Sequence, residues 1–167
     1  MDDLVSPRPP RLLFWESTKA CNLKCQHCRA VPINKPAADE LSTEEALKLI
    51  ESAAALGVKI FVFSGGEPML RPDLSLLIAK VRELKMEAAI ATNGTLLTDD
   101  VVQSWLDLGV ARVSVSIDGA TAKVHDEFRG EDGSFDAALR GMASLRKLGL
   151  PFQVNTTVTR QNMYSLS

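Results

Sequence analysis

The chain alternates short apolar runs with longer segments in which apolar residues recur every three or four positions. The short runs fall at residues 12–17, 58–63, 86–91, 110–117 and 152–158. Runs such as IFVF and AAIA are apolar on consecutive residues, which is typical of strands in a parallel sheet that is covered on both faces. The pattern therefore predicts five parallel strands.

Four helices are predicted between these strands. Ser42 is a candidate N-cap, and Glu45 completes a capping box, so the first helix is expected to begin directly after Ser42. Pro72 is expected to open the second helix and Thr98 to cap the third, while residues 135–145 carry the apolar stripe of the fourth. Strands that alternate with helices through short connections predict an α/β fold.

The length of the chain limits how far such a sheet can close. A closed barrel of eight βα units typically needs about 250 residues, and this chain has 167. We therefore expect an open, partial (βα) barrel of parallel strands. We expect a flexible segment at residues 1–10 and one core domain over residues 11–167. A further helix is expected to begin within residues 162–167, so the core domain is expected to be incomplete at its C-terminus.

Charge and hydropathy narrow the class of partner. The chain has 19 basic and 21 acidic residues, a net charge of −2, and the two signs are interspersed. This balance predicts no nucleic-acid or anionic-membrane surface and favours small or neutral partners. No apolar run approaches the roughly 20 residues that span a bilayer, and residues 1–10 lack the apolar segment of a signal peptide. We expect a cytoplasmic protein.

Polar residues and glycines gather at the ends of successive predicted strands. They are the cysteine loop after the first strand, Ser64-Gly65-Gly66-Glu67-Pro68 after the second, Thr92-Asn93-Gly94 after the third, Ser116-Ile117-Asp118-Gly119 after the fourth, and Asn155-Thr156-Thr157 in the fifth. Parallel α/β folds bind ligands at the carboxyl ends of their strands. The sequence therefore predicts one site at this edge.

The three cysteines point to a metal centre. Cys21, Cys25 and Cys28 are odd in number and too closely spaced for a disulfide framework. Thiolates select zinc, copper or iron–sulfur clusters, and three of them leave one iron of a four-iron cluster free. A zinc site with His27 as fourth ligand is an alternative, although His27 adjoins Cys28 and neighbouring residues rarely both reach one tetrahedral ion. A further alternative is that the three cysteines bind no metal. The polar character of the loop disfavours it.

The spacing Cys-x3-Cys-x2-Cys in ACNLKCQHC, followed one strand later by GGEP, closely resembles the radical S-adenosylmethionine (SAM) superfamily. The resemblance covers the chain from Arg11 onward. It implies a [4Fe-4S] cluster on the three cysteines, with SAM chelating the fourth iron through its amino and carboxylate groups.

The resemblance also implies contacts to SAM. In Gly65-Gly66-Glu67-Pro68 the glycines let the backbone approach SAM, and Glu67 or a nearby carbonyl accepts from the methionyl ammonium. Ser116 and Asp118 correspond to the strand end that binds the ribose. An ordinary βα turn at the glycines and an Asx-turn at Asp118 are the alternative interpretations.

Further roles follow from the same resemblance. Arg129, in HDEFRG, is similar to the arginine that pairs with the SAM carboxylate, with a solvated surface arginine as the alternative. Asn93 and Asn155 are expected either to reach the substrate or ribose or to satisfy backbone groups. His27 is expected to stack or pack near the adenine, and His125 to lie at the surface or beside the site.

The implied chemistry is reductive cleavage of SAM to methionine and a 5′-deoxyadenosyl radical that abstracts hydrogen, with an external electron donor of the flavodoxin or ferredoxin type. The stretch LLFWESTKACNLKCQHCRA is most similar to the haem and haem d1 biosynthesis branch, which acts on decarboxylated sirohaem, and to SPASM-type relatives that modify peptides. A tetrapyrrole or peptide substrate is implied. Those relatives carry further cysteines and this chain has none after Cys28, so a truncated, non-catalytic SAM- or cluster-binding module is an alternative.

Overall fold

The computed structural model describes residues 9–29 and 33–165, in which five parallel strands form one open sheet. The strands are β1 (Leu12–Glu16), β2 (Ile60–Ser64), β3 (Glu87–Thr92), β4 (Val110–Ser116) and β5 (Phe152–Asn155). Each strand pairs with the next one along the chain, in the order β1-β2-β3-β4-β5. The predicted α/β fold, an open partial barrel of parallel strands, is confirmed.

The helices follow the predicted end signals closely. They are α1 (Thr43–Ala55), α2 (Leu74–Glu83), α3 (Asp99–Asp107), α4 (Ala122–Arg129) and α5 (Ser134–Leu148). The Ser42 side chain accepts from the Glu45 N–H and the Glu45 carboxylate accepts from the Ser42 N–H, so the capping box is confirmed. Thr98 caps α3 as predicted. Helix α2 begins two residues after Pro72.

The prediction of four crossover helices is wrong, because the connection between β4 and β5 contains both α4 and α5. Helix α4 has no aliphatic stripe that would reveal it, since the residues that it buries are His125, Phe128 and Arg129. Its end signals are nevertheless present. Thr121 caps its N-terminus, and Gly130 ends it in the left-handed conformation.

The hydrophobic core lies between the sheet and the helices. Phe61 and Phe63 of β2, Ile90 of β3 and Val113 of β4 are fully buried there, and each such side chain stabilises the fold by about 1.5–3 kcal/mol. Phe14, on the opposite face of the sheet, is 66% exposed. The packed side therefore fixes the strands and leaves their carboxyl ends free for a site.

The described residues leave out parts of both ends of the chain. Apart from Pro9 and Pro10, the predicted flexible segment 1–10 lies outside the described residues, so the division into a segment and a core domain stays a prediction. Strand β5 ends at Asn155, and the helix expected within residues 162–167 is a single 3-10 turn, Met163–Ser165, in its described part. No helix within residues 9–29 and 33–165 is long and apolar enough to cross a membrane.

Candidate functional site

The structure brings the five predicted features to one edge of the sheet, here called the rim. Because the strands are parallel and successive, their carboxyl ends point the same way. The cysteine loop (residues 20–29) follows β1, residues 65–68 follow β2, Asn93 follows β3, Asp118 lies just after β4, and Asn155 ends β5. The direction of the strands is therefore consistent with the predicted single site at the rim.

The cysteine loop is held by the last carbonyl groups of α4. The Lys24 N–H donates to the Arg129 carbonyl and the Gln26 N–H to the Phe128 carbonyl, each at 3.1 Å. The Gln26 side chain donates to the Glu127 carbonyl at 3.0 Å. The final carbonyls of a helix have no partner within the helix, so the loop satisfies them and is fixed in return.

Gly130 makes this close approach possible. Its φ is 68°, in the left-handed region, and a Cβ at this position would lie 2.4 Å from the Lys24 carbonyl oxygen. Any side chain here would strain the backbone and push the loop away from α4. The glycine of HDEFRG is therefore explained by the packing of the cysteine loop.

A second set of contacts holds the other side of the loop. The Cys21 N–H donates to the Ile33 carbonyl at 2.9 Å. The Asn22 amide donates to the Thr95 hydroxyl at 2.8 Å and accepts from the Asn93 amide at 2.9 Å. The Asn93 side chain thus anchors the cysteine loop to the end of β3.

The Gly65-Gly66 pair packs against the chain that leads into the cysteine loop. Cβ atoms on Gly65 and Gly66 would lie 2.5 Å from the Thr18 carbonyl oxygen and 2.2 Å from the Ala20 carbonyl oxygen. The Gly66 N–H donates to the Thr18 carbonyl at 2.7 Å. Close packing within the protein therefore explains why glycine is needed at both positions, whereas the resemblance implies close approach to SAM as the explanation. Pro68 is buried at the start of a 3-10 turn.

Glu67 is fully buried and joins the ends of β2 and β3. Its carboxylate accepts from the Thr92 hydroxyl at 2.8 Å, the Asn93 N–H at 2.8 Å and the Met69 N–H at 3.2 Å. Loss of hydration on burial raises the pKa of Glu67 to about 7 and outweighs these hydrogen bonds, which lower it. The side chain is thus occupied by protein groups.

Glu67→Gln is expected to remove a pH dependence of stability. The folded protein holds the Glu67 proton up to about pH 7, whereas an unfolded chain releases it near the ordinary glutamate pKa of 4.5. The folded state binds more protons in this window, so the free energy of unfolding falls as pH rises, by up to about 3 kcal/mol. Urea unfolding of metal-free protein at pH 4.5, 6 and 7.5 measures this fall. Glu67→Gln should lack this fall, whereas Glu131→Gln, at an exposed position, should keep it. The prediction is contradicted if the free energy of unfolding falls equally with pH in the wild type and in both variants.

Asp118 is buried completely among long-range partners. One carboxylate oxygen accepts from the Thr157 N–H at 2.7 Å, 39 residues away. The other lies 2.6 Å from Nη2 of Arg129 and 3.8 Å from Nε2 of His27. These contacts, rather than an Asx-turn, account for the aspartate, and both of its oxygens face protein groups.

Arg129 lies beneath the cysteine loop and is 8% exposed, so the surface interpretation of this residue is wrong. Besides its ion pair with Asp118, its Nη1 donates to Cys25 Sγ at 3.8 Å. Its Nε is buried without a hydrogen-bond partner in the described residues. One donor of this guanidinium is therefore unused beside a cysteine.

His27 packs against a protein ring, and its expected place near the adenine stays a prediction. It stacks on Phe128, with ring centroids 4.3 Å apart and planes 15° apart, and Nδ1 is buried without a hydrogen-bond partner in the described residues. Burial and the charge of Arg129 lower the pKa of His27. His125 lies beside the site and is buried, where its Nδ1 accepts from the Asp118 N–H at 3.1 Å.

Ser116 and Asn155 lie opposite each other at the ends of β4 and β5. Ser116 is partly buried, and Asn155 is exposed. The Asn155 side chain accepts from the Gln153 amide at 3.0 Å. Both side chains therefore lie at the rim, in reach of solvent.

The three thiols fit a cluster site in their chemistry. Cys21 and Cys25 are partly buried, Cys28 is exposed, and all three are free. Burial raises the pKa of Cys21 and of Cys25, and Arg129 opposes this rise at Cys25. Within residues 9–29 and 33–165, no three His, Cys, Asp or Glu side chains are gathered tightly enough to hold a single metal ion. The fit to iron–sulfur chemistry rests on the free thiols and on the unused Nε donor of the Arg129 guanidinium, whose Nη1 contacts Cys25 Sγ.

Comparison with known proteins gives a consistent result. The family model described as the radical SAM superfamily matches residues 15–163. The chain is 45% identical to the AdoMet-dependent heme synthase of Methanosarcina barkeri, over 95% of this chain and 45% of that protein. It is 35% identical to the PqqA peptide cyclase of Granulibacter bethesdensis, over 95% of this chain and 42% of that protein.

Solved structures agree on the fold. Streptococcus suis SuiB bound to S-adenosylmethionine superposes with a TM-score of 0.81 at 21% identity, over 95% of this chain and 36% of that one. The chain therefore spans less than half the length of these relatives.

Proposed function

The chain belongs to the radical SAM superfamily, and we propose from this that it is the core of an enzyme that cleaves SAM reductively and acts on a tetrapyrrole in haem biosynthesis. The superfamily binds a [4Fe-4S] cluster and SAM, and these are its cofactors. The observation that carries the proposal is the cysteine loop, whose three free thiols lie on a backbone fixed from two sides. Such support keeps ligands in place before the cluster binds.

We assign the cluster to Cys21, Cys25 and Cys28. When bound, cluster and SAM supply the chemistry that this protein fold lacks, namely one-electron cleavage of SAM to a 5′-deoxyadenosyl radical. The chain positions the thiols through α4 and Asn93. The stacked rings of His27 and Phe128 join the loop to α4, and we expect them to exclude water there.

We assign SAM to the rim beside the cysteine loop. Arg129 keeps a buried donor, Nε, for an anionic group such as the SAM carboxylate. The strand ends offer two polar groups for the ribose, the partly buried Ser116 and the exposed Asn155. Residues 65–68, Asn93, Asp118 and His27 are assigned to the wall of the same site, where Glu67 and Asp118 serve mainly through the backbone that they hold.

A tetrapyrrole is the preferred substrate because the haem synthase relative is ten percentage points more similar to this chain than the peptide cyclase is, at 45% against 35%. A peptide is the second candidate, on the strength of that cyclase. The net charge of −2 supports a small-molecule or peptide substrate rather than nucleic acid. We further propose a cytoplasmic location and an external electron donor of the flavodoxin or ferredoxin type.

Anaerobic reconstitution with iron and sulfide is expected to give a brown, oxygen-sensitive protein with about four irons per chain. Addition of SAM and dithionite is expected to release 5′-deoxyadenosine, measured by chromatography. Incubation with decarboxylated sirohaem or a precursor peptide then separates the two substrate classes.

Three outcomes would contradict the proposal in different ways. Zinc in place of iron identifies a zinc-stabilised α/β domain. A loaded cluster and bound SAM without 5′-deoxyadenosine identify a binding module. Cleavage of SAM coupled to the peptide alone leaves the superfamily chemistry intact and replaces the tetrapyrrole.

A further inference from the structure

A buried ion pair lies directly beneath one of the three cysteines. Asp118 is fully buried and Arg129 nearly so, and their closest atoms are 2.6 Å apart. The second Nη of the same guanidinium reaches Cys25 Sγ at 3.8 Å. The carboxylate, the guanidinium and the sulfur therefore form a short row of interacting groups.

The rest of the fold holds this row in place. Thr157 donates its N–H to the Asp118 carboxylate, and the buried Asn162 amide donates to the Asp118 carbonyl at 2.9 Å. Arg129 sits at the last turn of α4, whose carbonyls bind the cysteine loop. Neither charge can leave without breaking several contacts.

Folding stability does not explain why charges are used here. Removing two charges from water is costly, and a buried ion pair is often no more stable than apolar residues of the same volume. An apolar filling would support the cysteine loop equally well, since α4 holds the loop through backbone carbonyls. The guanidinium of Arg129 faces the Cys25 sulfur, so we look there for the reason for its charge.

We propose that Arg129 sets the reduction potential of the cluster through Cys25, and that Asp118 is a positioning residue that holds Arg129 and partly offsets its charge. The inference rests on the proposed function, since it requires a cluster on Cys25. The step concerned is the uptake of one electron from the flavodoxin- or ferredoxin-type donor. It makes the cluster one unit more negative and involves no bond cleavage or leaving group.

The signs of the two effects are opposite. A positive charge and a hydrogen bond at a ligating sulfur stabilise the more negative, reduced cluster and raise its potential. The Asp118 carboxylate opposes this from the far side of the guanidinium, at greater distance from the sulfur. Loss of Arg129 should lower the potential, and loss of the Asp118 charge should raise it.

The test is a redox titration of anaerobically reconstituted protein without SAM, followed by electron paramagnetic resonance of the reduced cluster. Arg129→Met is expected to shift the midpoint to more negative values. Arg129→Lys keeps the charge and should shift it less, while Asp118→Asn should shift it to more positive values. Arg112→Met, at a half-exposed ion pair with Glu87 elsewhere on the sheet, is the matched control and should leave the midpoint unchanged.

SAM binding alone would not produce these shifts, because SAM is left out of the titration. Shifts of the same sign in Arg129→Met and Asp118→Asn, or shifts no larger than that of Arg112→Met, overturn the inference. If Arg129→Met does not load iron, the nearly isosteric Asp118→Asn tests the inference alone. A shift of its midpoint potential to more positive values supports the inference, and a shift to more negative values overturns it. A wild-type chain without a cluster overturns the proposed function as well, whereas loaded proteins with equal midpoints overturn only this inference.

Discussion

Cys25→Ala is expected to abolish cluster assembly and SAM cleavage together. Three thiolates are the ligands that we propose for the cluster, so a loop with two of them should retain less than about one iron per chain after reconstitution. Release of 5′-deoxyadenosine should fall to background. Iron analysis and chromatography on the same anaerobic sample measure both.

The matched control is Lys24→Ala in the same loop. The Lys24 side chain is exposed, and its contribution to the loop is the backbone N–H that reaches α4, which alanine keeps. This variant should load iron as the wild type does. The free energy of unfolding of Cys25→Ala should lie within about 1 kcal/mol of the wild-type value, because Cys25 is only partly buried. SAM cleavage retained in Cys25→Ala refutes the assignment of this cysteine.

Gly130→Ala is expected to destabilise the metal-free protein by about 2–5 kcal/mol, the sum of a left-handed alanine and an overpacked contact. The overpacked contact is the one with the Lys24 carbonyl, 2.4 Å from the added Cβ. Because the cysteine loop must move to relieve it, iron loading should fall as well. Urea unfolding and iron analysis measure the two effects.

Gly149→Ala provides the comparison. Gly149 has nearly the same backbone conformation, with φ of 77°, and nothing lies within 4 Å of a Cβ added there. This variant should show only the backbone cost, about 1–2 kcal/mol, and load iron normally. Equal destabilisation of the two variants would mean that the contact between Gly130 and Lys24 does not restrain the loop.

The sequence predicts the sheet well because its signals are local. Consecutive apolar residues mark the strands, and Ser42 with Glu45 marks the start of α1 through contacts only three residues apart. The apolar pattern does not reveal helix α4, because a histidine, a phenylalanine and an arginine form its buried face. Its two caps, Thr121 and Gly130, are the signals in the sequence that mark where this helix begins and ends.

The sequence points to the candidate ligands of the site and not to the contacts that support them. The spacing of the cysteines and of GGEP identifies these motifs in the sequence. Lys24 and Gln26 instead act through backbone N–H groups, which do not depend on the residue type. The contacts of Asn22 and Thr92 are absent from the sequence pattern for a related reason. Their polar partners lie more than 20 residues away, and only the folded sheet brings them together.

The same limit applies to Asp118 and Arg129. The resemblance points to both residues but gives them separate partners, the ribose for Asp118 and the SAM carboxylate for Arg129. Nothing in the sequence indicates that they pair with each other, or that Arg129 also faces a sulfur 104 residues away. Electrostatic partners across such separations follow from the packing of α4 against the loop.

The dependence of the cysteine loop on α4 has a consequence for the order of events on the ribosome. Gln26 and Glu127, which meet in the folded protein, are 101 residues apart in the chain. At about 5–20 residues per second, translation leaves the cysteines without this support for roughly 5–20 seconds. During that interval the thiols belong to a nascent chain open to oxidants and stray metal ions. Delivery of the cluster to an ordered loop must therefore wait until α4 has been made.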